Sequence, residues 1–156
     1  MEKATFGMGC FWGPEVTFGK IKGVTDTKVG YMGGTMDDPD YRTVCSGKTG
    51  HVEVVQVTFD PSLVSYQQLL EVFWRSHDPT QVNRQGPDFG TQYRTVVFYH
   101  DEDQRERAEL SRQKLDESGA FLRPVATSIE PAATFWVAED YHQKYLEKRG
   151  LRVCHV

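Results

Sequence analysis

The sequence predicts an α+β fold with a ferredoxin-like β-α-β-β-α-β core and extra C-terminal elements. Two observations predict this class. First, runs of β-branched and aromatic residues alternate with helical patterns in that order, and a further helix, strand and helix follow. Second, 156 residues with 38% hydrophobic content suffice for one buried core, so we expect a single domain over residues 1–156.

The first half of the chain is predicted to contain three strands and two helices. Pro14 has the fixed backbone angle favoured at a first helical position, and Gly23 ends that helix. Ser65 and Gln68 form a capping box at the start of the second helix, and β-branched residues mark the third strand. The predicted strands are 3–9, 24–31 and 51–59, the helices are 14–21 and 65–76, and a polar turn lies around 37–40.

The second half begins with a long loop, residues 77–93, that is rich in glycine, proline and polar residues. Loops of this length in a compact domain usually carry function. Gly119 and Gly150 end two predicted helices. The predicted elements are strands at 94–99 and 125–130, helices at 101–118 and 138–149, and a flexible tail, 150–156, that carries Cys154.

Charge and hydropathy argue against two classes of partner. The net charge is −4 with a pI near 5.7, and no lysine or arginine cluster stands out, so we expect neither a nucleic acid nor an anionic membrane as partner. No apolar run approaches the length of a membrane span, and the first residues lack a signal-peptide core. We therefore expect a cytoplasmic, monomeric protein.

Cysteine and histidine spacing argues against a metal or disulfide framework. The three cysteines are an odd number without a CxxC pair, and the five histidines lack metal-ligand spacing, so no cofactor is expected. His77 and His142 are expected to make structural hydrogen bonds. The segment around Cys45 fails the phosphate-loop spacing because a required glycine falls at Arg42, and we expect Cys45 to be a small packed residue.

Cys10 lies in a segment that favours a reactive thiol. Gly9 permits close approach of backbone and ligand, and the helix predicted at Pro14 places the thiol near a helix N-terminus. Unpaired N–H groups and the positive dipole at that end stabilise the thiolate. If Phe11 and Trp12 face outward with the thiol, they form an apolar wall suited to a small apolar group.

Glu53 shares one face of its strand with Val55 and Val57, because successive strand side chains point to opposite faces. A carboxyl group on an apolar face is desolvated, which raises its pKa and favours a neutral form able to act as a general acid. The alternative is a carboxylate near a strand end whose charged head reaches water. The pattern alone leaves both interpretations open.

Cys154 and three tyrosines are further candidates. Beyond Gly150, the Cys154 thiol is able to swing and to attack a distant sulfenic acid, forming a disulfide. An accidental terminal cysteine is the alternative. The phenols of Tyr31, Tyr41 and Tyr93 each offer a ring and a hydrogen-bond donor, although most tyrosines serve in packing.

Motifs spread over nearly the whole chain resemble those of the peptide methionine sulfoxide reductase A family. They surround Cys10 and Glu53, fill much of the long loop and continue into the last predicted helix. The matching segments are Gly9-Cys10-Phe11-Trp12-Gly13, Val29-Gly30-Tyr31, Gly33-Gly34, Tyr41-x-x-Val44-Cys45-Ser46-Gly47-x-Thr49-Gly50-His51-x-Glu53-Val54-Val55, His77-Asp78-Pro79-Thr80-Gln81, Arg84-Gln85-Gly86-Pro87-Asp88-x-Gly90-Thr91-Gln92-Tyr93-Arg94 and Ala138-Glu139-Asp140-Tyr141-His142-Gln143.

The resemblance implies a two-layer sandwich with a ferredoxin-like core, and one catalytic domain that reduces the S epimer of methionine sulfoxide in proteins and as the free amino acid. Cys10 would be the nucleophile that attacks the sulfoxide sulfur, and Glu53 the proton donor to its oxygen. The implied substrate contacts are hydroxyls that hold the oxygen, a wall for the ε-methyl group and a loop carboxylate, which match Tyr41 and Tyr93, Phe11 and Trp12, and Asp88 respectively.

The resemblance also implies how the enzyme would be recycled. Methionine would leave Cys10 as a sulfenic acid, which a second thiol would capture and a thioredoxin-type dithiol would reduce. Cys154 is the candidate resolving cysteine by position. Two departures stand out: Met8 occupies a position where the family often has a smaller residue, and the tail lacks the glycine-rich flanks that usually surround recycling cysteines. Direct attack by an external thiol is therefore the alternative.

Two other classes of function compete with this reductase. A cysteine hydrolase or acyltransferase would need a histidine base beside Cys10, whereas Glu53 as a proton donor is the wrong partner for that task. A binding module would use Phe11 and Trp12 to hold a peptide methionine without turnover.

Overall fold

Eight strands and five helices occur among residues 1–148, the part of the chain that this computed structural model describes. The predicted tail 150–156, with Cys154, lies outside the described residues. Two 3₁₀ turns span Thr91–Tyr93 and Asp140–His142. In chain order the elements are β1 (Glu2–Met8), α1 (Trp12–Gly19), β2 (Val24–Met32), α2 (Tyr41–Cys45), β3 (Val52–Phe59), α3 (Tyr66–Arg75), β4 (Arg84–Gln85), β5 (Asp88–Phe89), β6 (Thr95–Tyr99), α4 (Glu102–Glu117), β7 (Ser128–Pro131), β8 (Trp136–Val137) and α5 (Tyr145–Lys148).

A six-stranded sheet in the order β7-β6-β1-β3-β2-β8 runs through the molecule, and β4 and β5 form a separate hairpin. Neighbouring strands of the large sheet are antiparallel, except β6 and β7, which are parallel. Strand β1 lies between β3 and β6, so that Phe6 is opposite Val55 on one side and Val97 on the other. The structure thus confirms a mixed fold of helices around a central sheet.

The main core lies where helices cover the sheet. Phe6 on β1 is fully buried and stacks against Phe18 of α1 and Phe73 of α3, with ring centroids 5.2 Å and 5.0 Å apart. Aromatic pairs at these distances add to the apolar area that they bury. These contacts fix α1 against the sheet. They therefore also fix the short connection from β1 to α1, which contains Cys10.

Strand β3 and helix α3 confirm two of the predicted patterns. Val55 and Val57 belong to the main core cluster, whereas Val52 and Val54 belong to a second cluster on the other face, as the alternation requires. The side chain of Ser65 accepts a hydrogen bond from the backbone N–H at the third position of α3, and the capping box is complete. Glu53 accordingly lies on the face covered by helices.

Two predictions about the first half of the chain were wrong in detail. Helix α1 begins at Trp12, so Pro14 occupies its third position, where proline is tolerated because the first N–H groups of a helix have no intrahelical acceptor. The segment after the polar turn forms the short helix α2. Asp40 caps α2, since its side chain accepts from the Thr43 backbone N–H and the Thr43 side chain bonds back to the backbone of Asp40.

The second half departs further from the prediction. The strand expected at 125–130 begins only at Ser128, because the backbone N–H of Val125 bonds to the Asp116 carboxylate instead. The helix expected at 138–149 is replaced by a 3₁₀ turn and the short α5. The backbone there bends at Lys144, whose φ of +54° is outside the helical region, and Gln143 bonds to the backbone of β2.

Candidate active site

Cys10 lies in the tight connection between β1 and α1. Strand β1 ends at Met8 and α1 begins at Trp12, so the chain reverses within three residues. Gly9 permits this turn because its φ is +95°, a conformation that costs glycine little. Cys10 is partly exposed, and it precedes the N-terminus of α1, where backbone N–H groups favour a thiolate.

Glu53 meets the backbone beside Cys10. The Phe11 N–H donates a hydrogen bond to Glu53 Oε1 at 3.4 Å, and the Glu53 side chain is 1% exposed. Burial of a carboxyl group disfavours its charged form. The structure therefore brings a buried acid to the backbone of the residue that follows Cys10, although Cys10 and Glu53 are 43 residues apart in sequence.

The Tyr41 and Tyr93 hydroxyls converge on this point from two further elements. Tyr41 begins α2 and Tyr93 ends the first 3₁₀ turn, and their hydroxyls interact electrostatically with each other. Burial, followed by the charges of Cys45 and Glu53, raises the pKa of Tyr41. Burial, followed by the charge of Glu53, raises the pKa of Tyr93. Both phenols therefore keep their protons and are able to donate.

Cys45 is not the packed residue that the sequence suggested. It lies one turn after Tyr41 on α2, is exposed, and its thiol interacts electrostatically with the Tyr41 and Tyr93 hydroxyls. Partial burial is the largest of the effects that raise the pKa of Cys45. The raised pKa favours the thiol over the thiolate. The expectation of packing failed because α2, which places residues four apart on one face, was not predicted.

Phe11 and Trp12 have different environments. Phe11 is 1% exposed, and its ring lies 5.9 Å from Tyr31 and 5.2 Å from His142, so it does not face outward. Trp12 is half-buried and stacks on Tyr145 of α5 at 3.8 Å. Phe11 therefore forms the floor beneath the Cys10 loop, and Trp12 forms its partly open side.

His142 and Glu139, from the last part of the described chain, support these aromatic residues. The Trp12 indole N–H donates to His142 Nδ1 at 3.1 Å, and burial lowers the pKa of His142, so the ring is a neutral acceptor. The Tyr31 hydroxyl is fully buried and donates to Glu139 Oε1 at 2.9 Å. Tyr31 is thereby used in a structural contact, and the structural hydrogen bond predicted for His142 is confirmed.

His77 also makes the expected structural contacts. Its Nδ1 lies 2.7 Å from the Phe73 carbonyl oxygen at the end of α3, and its Nε2 lies 2.7 Å from Thr95 Oγ1 at the start of β6. The ring therefore fixes the beginning of the long loop against the sheet.

Asp88 lies on the hairpin of β4 and β5, which forms inside the long loop. It is half-buried and pairs with Gln85 across the hairpin. The Gln85 amide bonds to the backbone N–H and C=O of Asp78, which ties the hairpin to the start of the loop. Strand β4 of the hairpin also contacts the 3₁₀ turn that ends in Tyr93.

Residues 1–148 hold no cluster of three or more histidine, cysteine, aspartate or glutamate side chains placed to ligate a metal ion. In the same part of the chain, every helix falls short of the length and hydropathy that a membrane span requires.

Comparison with known proteins gives a family for this geometry. A sequence profile described as peptide methionine sulfoxide reductase matches residues 2–156. The chain belongs to the peptide methionine sulfoxide reductase family. A relative from Methanoculleus marisnigri, named peptide methionine sulfoxide reductase MsrA, is 58% identical over 154 residues, which cover 99% of this chain and 94% of the relative.

Solved structures agree with this membership of the peptide methionine sulfoxide reductase family. Mxr1 from Saccharomyces cerevisiae in its reduced form superposes with a TM-score of 0.89 at 36% identity, covering 96% of this chain and 86% of Mxr1. Mxr1 in complex with Trx2 superposes with a TM-score of 0.64 at 25% identity, covering 92% of this chain and 84% of that one.

The sequence patterns assigned no functional role to three residues of this site. Cys45 contacts both site tyrosines, Tyr145 stacks on Trp12, and Glu139 binds α2. Spacing within α2 would have placed Cys45 beside Tyr41 had the Asp40 cap been recognised. No local pattern signals the other two contacts, because they form between segments more than 90 residues apart.

Proposed function

We propose that this chain is a peptide-methionine (S)-S-oxide reductase that reduces the S epimer of methionine sulfoxide in proteins and as the free amino acid. The observation that carries the proposal is the hydrogen bond from the Phe11 N–H to Glu53 Oε1, which joins a buried acid to the backbone of the residue after Cys10. Membership of the family, with 58% identity to an MsrA over nearly the whole chain, supports the same activity.

The reaction needs a nucleophile and an acid around one S=O group. The Cys10 thiolate attacks the sulfoxide sulfur, which is electrophilic only while its oxygen is being protonated, and Glu53 supplies that proton. The attack forms a bond between the two sulfur atoms. The oxygen, now protonated, then moves from the methionine sulfur to the Cys10 sulfur as the S–O bond to methionine and the sulfur–sulfur bond break, so methionine leaves and Cys10 becomes a sulfenic acid. The sulfoxide gains two electrons and the Cys10 sulfur loses two.

The remaining site residues position the sulfoxide. The protonated Tyr41 and Tyr93 hydroxyls are suited to donate hydrogen bonds to the oxygen, which polarise the S=O bond. The half-buried Trp12 ring over the Phe11 floor offers an apolar surface for the ε-methyl group. The Asp88 carboxylate on the hairpin is proposed to bind the remaining part of the substrate, directly or through water.

Recycling is proposed to proceed through Cys154. Its thiol attacks the Cys10 sulfenic acid and releases water, and a thioredoxin-type dithiol then reduces the disulfide. The stacking of Tyr145 on Trp12 supports this role, because it holds the last described helix beside the Cys10 loop. Cys154 is the sixth residue after Lys148, and six residues span up to about 20 Å in an extended chain. The likeness to Mxr1 in complex with Trx2 supports a thioredoxin as reductant.

The proposal extends to the context of the enzyme. Residues 1–156 form a single catalytic domain that acts in the cytoplasm as a monomer. Its core is ferredoxin-like, which the strand order β6-β1-β3-β2 and the connections through α1 and α3 support.

Replacing Cys10 by serine tests the proposal. Wild type and variant are incubated with each resolved epimer of a methionine sulfoxide peptide and a dithiol, and methionine formation and peptide binding are measured. The proposal expects turnover of the S epimer only, and its loss in Cys10→Ser with binding retained. Turnover by Cys10→Ser, or trapping of an acyl ester by wild type without any sulfoxide reduction, contradicts it.

A further inference from the structure

The Glu139 carboxylate joins the last part of the described chain to two elements of the site. Its Oε1 accepts a hydrogen bond from the Tyr31 hydroxyl at 2.9 Å, and its Oε2 accepts a hydrogen bond from the backbone N–H of Tyr41 at 3.0 Å. Tyr31 lies opposite Glu53 in the pairing of β2 with β3. Glu139 therefore connects the strand pair that holds Glu53 to the helix that holds Tyr41.

Helix α2 depends on such a connection. It spans only five residues, Tyr41–Cys45, and helices of this length are not stable without tertiary contacts. Asp40 accepts the Thr43 N–H, which leaves the Tyr41 N–H among the first helical groups that have no acceptor within the helix. Glu139 supplies that acceptor, together with a negative charge at the positive end of α2. The contact fixes where α2 begins.

The carboxylate is held in its ionised form. Burial opposes ionisation, but hydrogen bonds from the Tyr41 N–H, from the backbone of Glu139 and from the Tyr31 hydroxyl outweigh it, and the pKa of Glu139 is lowered. The Tyr141 hydroxyl also donates to Glu139 Oε2, but at the longer distance of 3.5 Å and from a residue that is 57% exposed. The Tyr31 and Tyr41 contacts are thus the ones that hold α2.

We propose that Glu139 is a positioning residue for sulfoxide reduction: it anchors the first turn of α2 so that the Tyr41 hydroxyl meets the sulfoxide oxygen together with Tyr93. This inference rests on the proposed function for the assignment of Tyr41 to the oxygen. Glu139 acts on the reaction through Tyr41 and not by contact with the substrate.

Alanine at position 139 is expected to slow methionine formation at saturating substrate. Displacement of a positioned group by about 1 Å reduces rates by up to about 10²-fold, and we expect Glu139→Ala to lose on the order of tenfold to that limit, with a smaller change in KM. Glu139→Gln is expected to recover most of the rate, because its amide oxygen still accepts the Tyr41 N–H and the Tyr31 hydroxyl is able to rotate and accept from the amide.

A double-mutant cycle separates positioning from a general structural effect. Single-turnover rates of methionine formation are measured for Glu139→Ala, Tyr41→Phe and the double variant, with thermal unfolding recorded for each. The double variant is expected to be no more than about twofold slower than the slower single variant, because both changes remove the same hydrogen bond to the oxygen. Tyr141→Phe, which removes only the long, exposed contact to Glu139, serves as the control and is expected to retain the wild-type rate.

Three results would overturn the inference. They are a wild-type rate for Glu139→Ala, multiplication of the two single effects in the double variant, and a slow Glu139→Ala beside a Tyr41→Phe of wild-type rate. The last also removes Tyr41 from the proposed mechanism, whereas the reductase activity itself is decided separately by Cys10→Ser. If Glu139→Ala does not fold, Tyr31→Phe replaces it in the same cycle: a slower rate that does not multiply with Tyr41→Phe supports the inference, and a multiplied or absent effect overturns it.

Discussion

Replacing Glu53 by alanine removes the proposed proton donor while Cys10 stays in place. The Glu53 side chain is 1% exposed, and the Phe11 N–H donates a hydrogen bond to its Oε1 at 3.4 Å. A positioned general acid contributes about 10²–10⁴-fold to a rate, which corresponds to about 2.7–5.4 kcal/mol of activation free energy. We expect Glu53→Ala to lose methionine formation by a factor in that range.

Glutamine at position 53 is the matched control. Its amide oxygen is able to accept the Phe11 N–H as the carboxyl does, and its NH₂ group is able to donate a hydrogen bond to the sulfoxide oxygen. We expect Glu53→Gln to lose about tenfold or less, equivalent to about one hydrogen bond, and so to remain much more active than Glu53→Ala. The contrast between the two variants isolates the hydrogen bond to the oxygen from the shape of the site.

Rapid quenching after mixing the reduced enzyme with an S-epimer peptide measures the step directly, because methionine is counted before recycling begins. Urea denaturation provides the control for folding. The 3.4 Å bond to Phe11 is long, so its loss is expected to cost no more than about 1 kcal/mol of unfolding free energy. A folded Glu53→Ala that forms methionine at the wild-type rate would refute the assignment of Glu53.

Three further predictions concern recycling, the core and a buried carboxylate. Cys154→Ser should release one methionine per enzyme at the normal rate but fail to cycle with thioredoxin in a coupled assay; undiminished cycling excludes an obligatory resolving role. Phe6→Ala, which empties a fully buried site between two rings, should lower the unfolding free energy in urea by about 3–5 kcal/mol, and a loss below about 1 kcal/mol contradicts the packing described. Burial raises the pKa of Glu15 above its ordinary value of 4.5, so its ionisation costs stability as the pH rises through the folded-state pKa. The unfolding free energy of Glu15→Gln minus that of wild type should therefore increase as the pH rises through this range. A difference that stays constant with pH contradicts this.

The sequence predicted best those parts of the fold that local patterns determine. Alternation placed Glu53 on the apolar face of β3, and the Ser65 capping box located the start of α3. The segment 77–93 lies outside the six-stranded sheet, as its loop composition predicts, and it forms a short hairpin and a 3₁₀ turn. In each case the deciding interaction lies within a few residues of the pattern.

The parts that were wrong depend on contacts between distant segments. The last predicted helix fails because Gln143 bonds to the β2 backbone at Val29 and Lys144 bends the chain, whereas the helical pattern of residues 138–149 reports only local preference. Cys45 is an exception: it was expected to be packed because lone cysteines usually are, although the Asp40 cap that begins α2 is a local signal. The role of Glu139 depends on Tyr31 and Tyr41, which lie about 100 residues away in sequence.

The central claim, transfer of the sulfoxide oxygen to Cys10, is tested most directly by the intact mass of the enzyme after one turnover. Reduced Cys154→Ser is mixed with a small excess of S-epimer methionine sulfoxide peptide, quenched, and analysed by peptide mapping with a sulfenic acid trapping reagent. The account predicts one trapped sulfenic acid on the peptide containing Cys10 for each methionine released, and none with the R epimer. Methionine release without oxidation of Cys10 would contradict it.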